Sequence, residues 1–506
     1  MPTQILRSQP GIKRDGTKFE GDFYVDGQWV RFQRGLPRKI GGYRSISKYL
    51  TEISRGFNSF TQQLLQYCHS GGSSTLERFT IDANKNSSVI SDRTPSTLVD
   101  SVNNRWMFQS IYESSTTYNA LLAHVAPNGS CLCNDVGGQI FYGDILGTAA
   151  LTEVTLPAGA NATGGIVALH PYLFYYGTAG IIGWSVPGEP SDLTGSGSGI
   201  ARVWGQKIIK GMPLRAGSGS APAGIFWAYD AVIRATFSGG ATVFQFDVIA
   251  TDTSIMSADS VVDYDGVFYW AGVDRFLMFN GVVRDVPNQM NINYFLDGLN
   301  PSQHSKVFSW KVPRFGEIWW AYPRGDATEC THAVIYNVRE NTWYDTALPT
   351  SGRSAGGYNN AFMSPILVDA IPSPSGYRTW VHEQGVDEID GTLAAPIQSF
   401  FETADLSSIA QGQDSYLRIS TIEPDFVQNG PMTVQVTGRA NARAPEVVSS
   451  TFTFPEQADQ PFEQIVMLKE QRRELRVRFE SNALYGDYQM GQIIGHIESG
   501  DRTVLG

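Results

Sequence analysis

The chain has 506 residues, enough for two or three domains or for one large all-β assembly beside a smaller unit. Hydrophobic residues make up 42%, aromatics 12% and charged residues 17%, which excludes a chain too polar to build a core. A net charge of −11 argues against a surface devoted to gripping nucleic acid, and no apolar run approaches the ~20 residues that a membrane-spanning helix needs. The charge is uneven: residues 1–50 hold ten Lys/Arg against four Asp/Glu (+6), whereas residues 51–400 carry −11 and residues 401–506 carry −6.

The first residues, MPTQILRSQPGIKRDG, contain no apolar stretch of the kind a signal peptide has, so a soluble protein of a cytoplasm or a particle is expected. Asp26-Gly27 is a hairpin signal between Asp22–Val25 and Gln28–Phe32. Gly35, Pro37, Gly41 and Gly42 then punctuate an extended basic stretch. Residues 1–56 therefore read as a basic N-terminal arm or ribbon rather than a self-contained domain.

From residue 57 to 396 one unit recurs: an aromatic-rich apolar strand, a tight turn and a second strand. Copies start near Tyr172, Ile225, Val267 and Glu317, and degenerate ones fit residues 60–90 and 106–145. A period of ~40–50 residues in short antiparallel strands predicts propeller blades. Central strands of a blade are covered on both faces, which explains continuous aromatic runs in place of alternation. Six blades are expected over residues 57–396, with Tyr377–His382 either closing the ring on early strands or beginning a seventh. An irregular stack of sandwiches is the competing fold. Residues 397–506 change pattern to longer strands with strict alternation, as in Leu475-Arg476-Val477-Arg478-Phe479, and predict a β-sandwich-like domain.

Motifs of chemistry are absent or weak. Gly352-Arg353-Ser354-Ala355-Gly356 matches the nucleophile elbow formally, but Gly357-Tyr358-Asn359-Asn360 follows where a helix is required. Cys68 and His69 are adjacent, so in a strand they face opposite ways. Cys330 and His332 share a strand face with no further ligand nearby, and Cys131 and Cys133 are too close for an ordinary bridge. No catalytic, cofactor or metal site is expected, and the chain is not read as an enzyme.

Two stretches carry a resemblance. Gln28-Trp29-Val30-Arg31-Phe32-Gln33-Arg34-Gly35-Leu36-Pro37-Arg38-Lys39-Ile40-Gly41-Gly42-Tyr43 resembles the opening segment of tail proteins from short-tailed bacteriophages, where such a string precedes a β-propeller. Leu475–Phe479 with Gly486–Gly491 is similar to their C-terminal strands. The family implied is the tail nozzle (tail tube protein B-like) proteins. The resemblance implies a structural virion protein made in the host cytoplasm, a homo-hexameric ring below the tail adaptor, with fibres or spikes at its side. It implies a conduit and gate that retains packaged double-stranded DNA and passes it during ejection, with weak non-specific contact. An acidic, catalytically empty body suits such a conduit, because like charge repels phosphates and lets a duplex slide.

On this reading Arg31, Arg34, Arg38 and Lys39 are expected to contact a neighbouring subunit or the adaptor. The low-bulk loops Gly195–Gly199 and Gly217–Gly224, with Gly195, Gly197, Gly199, Gly217 and Gly219, are candidate gate loops. A glycan-binding or glycan-cleaving propeller and another tail protein such as a hub are the alternatives.

Overall fold

The computed structural model describes residues 3–18, 21–126, 137–214, 221–240, 242–406, 415–441, 443–456 and 465–502. These residues fold as an all-β protein whose central part is a ring of antiparallel sheets. Successive four-stranded sheets begin at Phe57, Arg105, Gly165, Ile208, Val262 and Phe308, each pairing its strands in chain order. A further sheet joins Ala355–Asn359, Ser364–Val368 and Tyr377–His382 to Tyr43–Leu50, a strand from the other end of the chain. First strands contact one another around the ring, and Ala355–Asn359 returns to Phe57–Gln62. The ring is a β-propeller.

The sheets of the ring number seven among the described residues, one more than the six read from the aromatic runs. The reason lies in what those runs are. Tyr172–Tyr176, Ala223–Ala228, Val267–Ala271 and Glu317–Tyr322 are the second strands of their blades. In Tyr172–Tyr176 every residue is buried, covered on both faces by neighbouring blades. Phe174 meets Phe226 at 5.9 Å, Trp227 meets Trp270 at 5.6 Å and Phe276 meets Trp320 at 4.8 Å, each pair bridging adjacent blades. The second strand of the last blade, Ser364–Val368, is equally buried but contains no aromatic residue, so it was not counted. Tyr377–His382 does pair with an early strand, and does so as part of that extra blade.

The second unit is a pair of six-stranded sheets. One holds Val466–Arg472, Ser415–Asn429, Asp487–Arg502, Leu36–Lys39 and Val30–Gln33, with Thr3–Leu6 also on Asp487–Arg502. The other holds Asp26–Gln28, Ser399–Glu402, Glu474–Ser481, Met432–Arg439 and Val447–Val448, with Phe452–Phe454 on Met432–Arg439. The described residues of the segment 1–56 are thus no free arm. Their first strands complete the C-terminal sandwich, and Tyr43–Leu50 completes the propeller. The hairpin expected at Asp26-Gly27 turns instead at Arg34-Gly35, where φ is 55° and 75°, the two positive angles that a tight hairpin requires. One hydrophobic core runs from Leu6, Trp29 and Phe32 through Trp310 and Trp319 of the sixth blade to Phe401, Val477 and Tyr488 of the sandwich. Among the described residues no helix is long and apolar enough to cross a membrane.

Candidate functional site

The segment Gln28–Tyr43 forms the joint between the two units. Trp29 takes a left-handed backbone (φ 52°), gives its N–H to Thr346 Oγ1 at 2.9 Å and its indole N–H to the Gly41 carbonyl at 3.2 Å. Its ring lies 5.9 Å from Tyr43, 6.3 Å from Trp319 and 6.5 Å from His382. Gly41 and Gly42 follow because side chains do not fit: a Cβ at Gly42 would stand 2.3 Å from the Asp387 carbonyl oxygen, and one at Gly41 2.6 Å from Glu383 Oε2. The C-terminal string arrives at the same place. Lys39 Nζ donates to the Gly486 carbonyl at 2.6 Å, Arg38 pairs with Gln489 across the sheet, and Ser399 Oγ bridges the Trp29 carbonyl and the Tyr488 hydroxyl.

Arg31 is the electrostatic centre of the joint and is only 1% exposed. Its Nε is 2.9 Å from Glu317 Oε1, its Nη1 donates to Glu383 Oε2 at 3.0 Å, and its guanidinium lies 3.7 Å over the Phe315 ring. Glu317 also accepts from the Trp319 indole at 2.9 Å and the Tyr344 hydroxyl at 2.6 Å. Burial pushes the Glu317 carboxyl above its ordinary range, and Arg31 pulls it back. Burial likewise lowers Lys39, opposed by Asp387 and Asp487. Such a charge is tolerable only because partners surround it. Sequence reasoning missed Glu317 and Glu383; the one signal was a carboxylate opening the otherwise apolar run Glu317-Ile318-Trp319-Trp320.

The four basic residues expected at a subunit contact therefore separate. Arg31 and Lys39 are spent inside the chain, which corrects the expectation for them: folding buries them under the sandwich. Arg38 is half-buried, donating to Gln33 Oε1 at 2.8 Å. Arg34 alone is exposed, at the tip of its hairpin, with its backbone N–H on Glu340 Oε1 at 3.0 Å.

The candidate gate loop Gly195–Gly199 lies at the rim, leading into the outermost strand of its blade. It is also tethered: Gly195 N–H donates to Asp192 Oδ1 at 2.9 Å, the Gly197 carbonyl accepts from the Trp184 indole at 3.2 Å, and a Cβ at Gly199 would strike the Trp184 ring at 2.4 Å. Gly217 and Gly219, like Cys131 and Cys133, lie outside the described residues. In Gly352–Gly356, Ser354 Oγ donates to the Asp369 carbonyl at 3.0 Å and Arg353 is a fully buried partner of Asp369 at 2.9 Å, so the motif is structural. Among the described residues no cluster of three His, Cys, Asp or Glu is arranged to hold a metal.

A cavity of about 350 Å³ lies on the propeller axis, lined by polar and apolar side chains from the first strands of several blades. Arg105, Lys210, Lys311, Asp259 and Asp263 are its charged walls. That volume has room for roughly ten water molecules and is far too small for a nucleic-acid duplex. Any DNA channel would have to run between copies of the chain.

No family model and no curated protein matches the chain. Among solved structures it is similar to the WD40 β-propeller domain of Doa1, at 12% identity and a TM-score of 0.39, over 67% of this chain and 97% of that one. It is also similar to the WD40 repeats of RRP9, at 6% identity and a TM-score of 0.42, over 68% and 99%. The class defined by the closed ring of four-stranded sheets is an all-β propeller protein. Strand order and ring closure carry that assignment.

Proposed function

We propose that this chain is a structural subunit of a short-tailed phage tail, six copies of which form a nozzle that holds packaged DNA and then lets it through. The observation that supports this reading best is convergence. The two segments that resemble tail nozzle proteins are more than 430 residues apart, yet they meet at one joint through Lys39–Gly486 and Arg38–Gln489. A joint closed by buried ion pairs and interlocked aromatics holds two β units in one orientation. That is what a ring under the pressure of a packaged genome requires. The acidic body favours passage of a duplex over adhesion to it, so retention is steric or depends on a partner.

The test has two arms. Duplex binding by the assembled protein is measured at low and physiological salt, and genome retention is compared in particles made with and without it. Weak, salt-sensitive binding together with leaking particles supports the conduit. Tight, salt-resistant binding, normal genome delivery without the protein, or cleavage of a polysaccharide by the purified chain would overturn it.

A further inference from the structure

We propose that the axial cavity of the propeller is a binding site for a small oxyanion, a phosphate or a carboxylate, with Arg105 as its main ligand. This site is separate from any channel between subunits. Arg105 opens the first strand of the second blade and is 7% exposed. Its Nη2 donates to Asp259 Oδ2 at 2.8 Å, while its Nη1 is buried with no partner. A buried guanidinium nitrogen without an acceptor is costly, and the planar fork suits a two-oxygen acceptor.

The surroundings are positive although the chain is acidic. Three cations line the cavity, Arg105, Lys210 and Lys311, against the two carboxylates Asp259 and Asp263. Lys210 stands 3.7 Å from the same Asp259 that Arg105 uses, so one carboxylate serves two cations. Behind this wall Arg55 and Lys306 likewise share Glu329, at 2.9 Å and 2.8 Å. Lys306 holds its proton less tightly than usual, by burial first, against the pull of Glu329, and further through the charges of Arg55 and Arg105. Both layers thus carry one positive charge more than they neutralise.

The room matches. A volume of 350 Å³ is at the small end of ligand pockets and admits a phosphate or a short polycarboxylate. Gly357 lines it, and a Cβ built there would meet no atom within 4 Å. Nothing in the joint or the sandwich contributes to this wall.

Calorimetric titration of the full-length protein with inorganic phosphate and, separately, with citrate at fixed ionic strength tests the site. Saturable binding of either ligand is expected, phosphate alone naming one source and citrate alone the other. Affinity should fall at least tenfold in Arg105→Met and in Lys210→Gln, and likewise in Gly357→Val, which fills the space without touching a charge. Should Arg105→Met fail to fold, the other two variants decide. Absence of binding by both ligands, or binding that all folded variants retain unchanged, would overturn the proposal.

Discussion

The propeller and the sandwich solve the same problem, burial of β-sheet faces, in opposite ways. In the propeller the second strands are buried on both sides, as in Glu317–Tyr322, and the first six blades are each built from one short run of chain, only the seventh borrowing Tyr43–Leu50 from far away. In the sandwich the strands alternate, as in Met432–Arg439, and the partners come from opposite ends of the chain: Ile5 pairs with Ile494 and Gly27 with Phe401. Local pairing makes the propeller a repeating ring, closed by one strand from the N-terminal segment. Distant pairing makes the sandwich a clasp, through which the N-terminus holds the C-terminus and both hold the sixth and seventh blades. The difference teaches that the two units are tied to each other at the joint, through a shared core and buried ion pairs.

The largest expected effect comes from breaking that joint electrostatically. Arg31→Met leaves Glu317 buried without its cation and should cost about 3–5 kcal/mol in urea unfolding. It should also split one cooperative transition into two, sandwich and propeller separately. A single unaltered transition would show that the units are not coupled there.

A second effect should fall on the propeller. His124 is fully buried beside the Ala162 carbonyl, and burial lowers its pKa to about 4, with Lys207 contributing. Above pH 6.5 both folded and unfolded forms are neutral at this group. Below it the unfolded chain takes up a proton that the folded chain refuses, so stability is lost as pH falls from about 6.5 toward 4. The loss approaches about 1.4 kcal/mol per pH unit. His124→Gln, which retains an N–H donor but does not titrate, should reduce the slope across that window by one histidine's share, because burial lowers His69, His332 and His382 as well and they keep theirs. An unchanged slope would remove His124 as its source.

Steric closure can be probed next. Gly42→Ala forces a Cβ to 2.3 Å from the Asp387 carbonyl and should destabilise by about 1–3 kcal/mol, read by thermal or urea denaturation. The smallest effect on the fold is expected at Arg34. Arg34→Glu should stay within about 0.5 kcal/mol of the parent because the side chain is exposed. Ring assembly is the sensitive readout there, and should be impaired where that arginine faces a neighbour's carboxylates.

What was legible in the sequence follows the same division. The aromatic second strands announced the blades because a strand covered on both faces needs no alternation, and Tyr172–Tyr176 shows it plainly. The innermost strand Gly165–Leu169 gave little signal, being short and without an aromatic residue. The last blade was hidden because Ser364–Val368 lacks aromatics and its closing strand, Tyr43–Leu50, lies more than 300 residues away. Arg31 and Lys39 read as surface charge since Gly and Pro flank them, and their carboxylate and carbonyl partners, Glu317, Glu383 and Gly486, are distant in sequence. Pairing over such distances leaves no periodic trace. The axial cavity was unreadable for the same reason, since its charges come from four stretches of the chain, around Arg105, Lys210, Asp259–Asp263 and Lys311.

Electron microscopy of the purified full-length protein, at concentrations where tail proteins assemble, tests the proposed role most directly. A closed ring of six copies around an open lumen, with sandwich and propeller in one fixed orientation in every subunit, is the predicted image. A monodisperse monomer under all assembly conditions, or subunits whose two units swing independently, would contradict it.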